Sequence, residues 1–226
     1  TNLEDQAHGT GLLVRASKFG SVSHQHADQG SFALIRNNQV LITPSGYFGR
    51  CWGTSHHRNW TKTTKAHNCI LVNGIGQETD SFRAAGRFTD WGHEENKSFY
   101  LRLDLREAYP MLEFYERSFA LTEKELIVRD RIRAKEGCEI SWLLHMLDRP
   151  VLQEDGTLVL EHAGQRAVVI PDSSFIGKPE ISDRFGTEVN EGVDEAFWVS
   201  MPKQYHVTFR TAIQKEHRIE VRIRIG

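Results

Sequence analysis

The 226-residue chain is poor in cysteine: Cys51, Cys69 and Cys138 are odd in number and show no CxxC spacing. That excludes a disulfide framework and a cysteine-based zinc site, and it leaves buried free thiols. No apolar run approaches the ~18 residues a bilayer-spanning helix needs, so no membrane partner is expected. Charge of one sign is also lacking. Lys and Arg number 28, Asp and Glu 30, for a formal net charge of -2. Bulk charge therefore excludes a strongly basic nucleic-acid binder, and no recognised nucleic-acid motif is present. No signal-peptide pattern is read in the opening residues. Thr1 to Gln6 reads as polar linker, as expected of a cut inside a longer protein. No long amphipathic helix is legible either.

What is present is strand. Hydrophobic residues make up 39% and charged residues 26%, enough for a sizeable core without disorder. Gly11 to Ala16, Phe32 to Ile35, Val40 to Thr43 and Asn68 to Val72 are short apolar runs. Asn37-Asn38 and Asn73-Gly74 mark turns, because Asn and Gly tolerate positive φ. Phe99 to Leu105 alternates apolar and polar, the period of a half-buried strand. Strands are further expected at 116–121, 126–132, 139–146, 151–153, 157–161, 167–170, 197–201, 205–212 and 218–225. Asp155-Gly156 is a hairpin signal. Trp52 to Lys65 and Asp172 to Val193 read as long loops, which on a β scaffold tend to carry function. The fold class is all-β: an antiparallel sandwich of many short strands with long functional loops.

A second absence is local. Residues 29–77 contain no Asp and no Glu, although 30 acids among 226 residues would place about six there. Arg36, Arg50, Arg58, Lys62, Lys65, His56, His57 and His67 remain, with His24 and His26 just before. Such a surface attracts anions. Tyr47, Phe48, Trp52 and Trp60 are interleaved, and flat rings beside cations suit sugar faces, nucleobases or other planar ligands. His24 and His26, two apart, can reach one site from a strand. Imidazoles serve as acid, base or charge neutraliser, or as zinc ligands. His26 and His67 are the candidate metal ligands. A carboxylate ligand would come from Asp28 or from outside this stretch, and Asp28 otherwise caps or orients a neighbour.

These residues resemble the heparinase II/III-like family of polysaccharide lyases, alginate-lyase relatives included. The matching text is Gly20-Ser21-Val22-Ser23-His24-Gln25-His26-Ala27-Asp28-Gln29-Gly30-Ser31-Phe32, then Ser45-Gly46-Tyr47. It continues with His56-His57-Arg58-Asn59-Trp60-Thr61, Thr64-Lys65-Ala66-His67-Asn68, Asn73-Gly74 and Gly76-Gln77. Glu116-Arg117-Ser118-Phe119 and Val128-Arg129-Asp130 look like the family's sandwich continuation. The resemblance implies that residues 1–226 are a C-terminal β-sandwich whose partner, an N-terminal (α/α) toroid, is absent from this chain. It implies β-elimination on an acidic, uronic-acid-containing polysaccharide, heparin/heparan sulfate-like or alginate, in a cleft between the two parts. It also implies that His24 faces the substrate near its carboxylate, that Tyr47 is a cleft tyrosine, and that His26 and His67 sit at metal positions, with Zn²⁺ the expected ion. Zinc-binding members carry an Asp before Ser-Gly-Tyr, where this chain has Pro44.

His56, His57, Arg58 and Trp60 are candidate substrate-binding residues, with loop packing the alternative. His145, in Trp142-Leu143-Leu144-His145, reads as a satisfied core histidine. The isolated chain is expected to be inactive, part of the site being elsewhere. A non-catalytic binding domain for acidic carbohydrate is the alternative function. A periplasmic or secreted bacterial setting is expected, with the cytoplasm left open.

Overall fold

A computed structural model describes residues 8–45, 52–94, 98–183 and 204–226. Tyr47, the strand expected at 197–201 and the end of the loop at 172–193 lie outside the described residues. Fifteen strands are described, all paired antiparallel, in three sheets. The small sheet joins β1 (Thr10–Val14), β2 (Phe32–Arg36) and β3 (Gln39–Ile42). Asn37 and Asn38 turn the β2–β3 hairpin at φ 47° and 61°, the left-handed conformation their side chains tolerate.

The remaining strands are β4 (Ile70–Val72), β5 (Arg87–His93), β6 (Phe99–Asp104), β7 (Leu112–Leu121), β8 (Glu125–Cys138) and β9 (Ile140–Met146), then β10 (Val151–Leu152), β11 (Leu158–His162), β12 (Gln165–Ile170), β13 (Phe175–Ser182), β14 (Tyr205–Thr211) and β15 (Gln214–Ile225). The large sheet runs β10-β11-β12-β15-β8-β7-β6-β5, and the third β13-β14-β9-β4. Thr43 donates to the His145 carbonyl, which links the end of β3 to β9. One core fills the space between the sheets, built around Phe32, Phe119, Trp142, Phe209 and Ile223.

The long strands show why a sandwich forms. On β15, Ile219, Val221, Ile223 and Ile225 are buried while Arg218 and Arg224 are exposed. On β8, Leu126, Val128, Ile132 and Ala134 face inward. A period of two puts one face on the core and the other in water. One inward position of β8 breaks the pattern: Asp130, which is buried.

Two expectations need correction. Part of the loop expected at 172–193 is β13, with a register shift between Ile176 and Glu180 that admits Gly177 and Pro179. Residues 87–93, given no element from the sequence, form β5 at the sheet edge, mostly exposed and so without a core-facing alternation.

Candidate functional site

Three segments converge above the sandwich: 20–31, 57–68 and 77–81. Gly20 has φ +67°, and a Cβ there would collide with the Ser81 carbonyl, so the tight approach needs glycine. Gln29 and Gln77 hold each other: Gln29 N donates to Gln77 Oε1 at 2.9 Å, and Gln77 Nε2 to Gln29 O at 2.8 Å. Gln77 Nε2 also donates to the buried Tyr109 hydroxyl at 3.0 Å. Thr64 Oγ1 donates to Ala27 O and accepts from Gln77 N, both at 2.8 Å. Every one of these bonds is buried, so the loops are fixed with interior strength.

Below them lies a buried ion pair. Arg117 and Asp130 face each other on β7 and β8. Arg117 Nε and Nη2 donate to the two Asp130 oxygens at 2.7 and 2.8 Å. Asp130 also accepts from the Tyr115 hydroxyl at 3.1 Å and Trp142 Nε1 at 2.9 Å. Arg117 Nη1 then reaches up to Gly30 O at 2.9 Å and Asn68 O at 2.8 Å. One guanidinium thus ties the ends of the two histidine-bearing loops to the core.

Those loops bring His26, Asp28 and His67 together, with one ligand-type atom of each within 4.8 Å of the others. The His26 and His67 ring centroids are 5.1 Å apart. Two imidazoles on one tetrahedral zinc, with Zn–N of about 2.0 Å, need roughly that separation. His67 is buried, and its Nε2 donates to Thr61 O at 3.1 Å. This fixes the tautomer and leaves Nδ1 as an acceptor with no hydrogen-bond partner. Burial lowers His67 to about 4. Burial, then the neighbouring His67, lowers His26 to about 4 as well. Both rings are therefore neutral at pH 7, the form that ligates metal. Burial pushes the Asp28 carboxyl up, while Arg15, whose Nε donates to Asp28 Oδ1 at 3.0 Å, opposes it. An orphaned buried imidazole nitrogen, a second neutral imidazole and a carboxylate fit a zinc ion, with the Thr61 carbonyl orienting one ligand from behind.

The outer rim is different. His24 is exposed and stacks on Trp52, ring centroids 4.1 Å apart and planes at 16°. Trp52 is 57% exposed and leans on His57 at 4.9 Å. Lys62 Nζ lies 5.8 Å from the Trp52 ring centroid, and Lys62 ion-pairs with Asp80.

Of the residues singled out by sequence, His26 and His67 are brought together with Asp28, while His24 sits on the rim against Trp52. Arg58 is exposed and donates to the Gly53 carbonyl. His57 is buried beside the cluster, its ring 6.3 Å from that of His26, and burial, then Lys62, lowers its pKa. His56 is buried, and burial, then the neighbouring His57, lowers its pKa. Trp60 is corrected too. It is 3% exposed and donates from Nε1 to Ser45 Oγ at 2.9 Å, so it anchors the loop. The exposed ring is Trp52. His145 is a core histidine, its backbone N donating to Asn68 Oδ1 at 2.7 Å.

Sequence reasoning did not find the Arg117–Asp130 clamp, the His24–Trp52 stack or the Lys62–Asp80 pair. The available signal was Asp130 in an otherwise apolar inward stripe.

An antiparallel β-sandwich bearing a histidine-carboxylate cluster on stitched loops defines the class of this protein. The chain belongs to the heparinase II/III-like family: the family's C-terminal-domain model matches residues 4–209. Among solved structures it is similar to the heparan sulfate lyase HepC from Pedobacter heparinus, with TM-score 0.69 and 15% identity. That match covers 96% of this chain and 33% of the other. It is also similar to a heparinase III with methylated lysines, with TM-score 0.68, 18% identity, and 97% and 32% covered. The chain thus spans about a third of the length of these structures. No curated protein matches it.

Proposed function

We propose that this domain forms one wall of the cleft of a polysaccharide lyase that cleaves uronic-acid-containing polysaccharides, heparan sulfate-like or alginate, by β-elimination. The observation that carries this reading is the exposed His24, stacked on Trp52 and close in sequence to the His26–Asp28–His67 cluster, just before the acid-free stretch 29–77. The similar solved structures include a heparan sulfate lyase, which supports the same reading.

In β-elimination a base takes the C5 proton beside the uronate carboxylate. The C4–C5 double bond forms as the C4–O bond breaks, and the leaving oxygen takes a proton. Negative charge grows on the carboxylate, so fixed positive or hydrogen-bonding groups there lower the barrier. His24 is exposed on the rim, where an imidazole can meet that carboxylate or move a proton. Tyr47 is proposed as a cleft tyrosine. His26, Asp28 and His67 would hold a zinc ion, which when bound supplies fixed positive charge. Here Asp28 provides the carboxylate that Pro44 cannot. An N-terminal toroid is proposed as the opposite wall, with the remaining proton-transfer groups.

The test is release of unsaturated uronate, followed by its conjugated absorbance, from the longer protein carrying this domain. His24→Ala is expected to lower the rate by about 10²-fold or more. A wild-type rate in that variant would remove His24 from the reaction.

A further inference from the structure

We infer that Lys62 is the cation that receives the substrate's carboxylate, and that Asp80 occupies that carboxylate's place until substrate displaces it. This rests on the lyase reading and names the group the elimination requires at the carboxylate.

The two ends of the pair are unlike. The Lys62 side chain is 9% exposed and Asp80 is 65% exposed. The lysine backbone is fixed on both sides: its N donates to His57 O and its carbonyl accepts from Ala27 N, each at 2.9 Å. A buried ammonium needs a partner, and here the partner comes from the solvent side. Asp80 lies on the segment just past the acid-free stretch, at φ +57°. Exchanging its carboxylate for one on a sugar leaves the local charge unchanged, so Lys62 stays paired throughout. An ammonium offers three donors, enough to hold a carboxylate through the reaction.

The position suits the chemistry. Trp52 bridges the two groups, with His24 stacked on it at 4.1 Å and Lys62 Nζ 5.8 Å from its centroid. A sugar on the exposed part of that indole has an imidazole and an ammonium within reach. Among the other described cations of residues 29–77, Arg36 donates to Thr10 Oγ1, Arg58 to the Gly53 carbonyl, and Lys65 is exposed on the turn Thr64–Ala66.

The experiment titrates the 226-residue chain by NMR with two unsulfated tetrasaccharides, one of the heparan backbone and one of alginate, and with their carboxyl-reduced forms. Lys62→Met is expected to weaken binding of the better carboxylated probe about tenfold and to leave the reduced form unchanged. Asp80→Asn is expected to tighten the carboxylated probe about threefold, because the competitor's charge is gone. A purely structural ion pair predicts no tightening. Lys62→Met binding like wild type, or Asp80→Asn binding no tighter, overturns the inference while leaving the lyase reading in place. If Lys62→Met fails to fold, the Asp80→Asn result decides alone. Wild-type chain that binds neither carboxylated probe overturns the inference, while the lyase reading stands or falls on the uronate-release assay of the longer protein.

Discussion

Two polar clusters lie one above the other in this molecule, one fully buried and one half-buried, and they are built oppositely. In the lower one, both oxygens of Asp130 are taken by Arg117, Tyr115 and Trp142, and Arg117 Nη1 donates to two carbonyls. In the upper one, His67 keeps a buried ring nitrogen without a hydrogen-bond partner, close to His26 and Asp28. A buried polar group with every valence met is scaffold. Buried groups whose acceptors converge with a donor missing are where a ligand belongs. The lower cluster makes the upper one possible, because Arg117 clamps the carbonyls of Gly30 and Asn68 beside it.

The largest expected effect breaks the scaffold. Asp130→Ala strands a buried guanidinium and is expected to cost about 3–5 kcal/mol in urea unfolding. Replacing Arg117 and Asp130 together by apolar residues is expected to recover only part of that loss, because the Gly30 and Asn68 carbonyls, the Tyr115 hydroxyl and Trp142 Nε1 lose these partners, and full recovery would mean the clamp adds no net stability.

Next comes acid. The folded-state pKa of His67 is about 4, below its ordinary value of 6.5, so protons favour the unfolded chain. Its contribution is fully present above pH 6.5 and is lost as pH falls towards 4. Linkage puts it at up to roughly 3 kcal/mol in metal-free protein. Burial lowers His145 in the same direction. His67→Gln is expected to flatten the fall in the urea midpoint measured with chelator between pH 7 and 4. An unchanged slope would show that His67 is not buried and neutral.

The smallest effect is on the other face of β8. Arg129 and Glu220, paired at 2.6 Å, are both partly exposed. Removing both is expected to change unfolding free energy by less than about 1 kcal/mol. A change as large as that of Asp130→Ala, one residue away, would erase the contrast between the two faces.

Much of this was legible. The alternation in β15 and the Asn37-Asn38 turn follow from local chemistry, and the family motif located His24, His26 and His67. What escaped depended on partners distant in sequence. Arg117 reaches Gly30, 87 residues away, and nothing local announces that bond. Trp60 and Trp52 look alike in sequence; the short helical turn His57–Thr61 buries one, and the other is left in solvent. Pro44 stands where zinc-binding relatives carry an Asp, and the loop fold brings Asp28, the carboxylate the sequence offered, to the cluster.

The most direct measurement of the contrast is a calorimetric titration of zinc into the 226-residue chain, beside His67→Ala. One zinc per wild-type chain, and none in the variant, is the predicted result. A wild-type chain that takes up no zinc, or a variant that binds it equally well, would contradict the assignment of the upper cluster as a site.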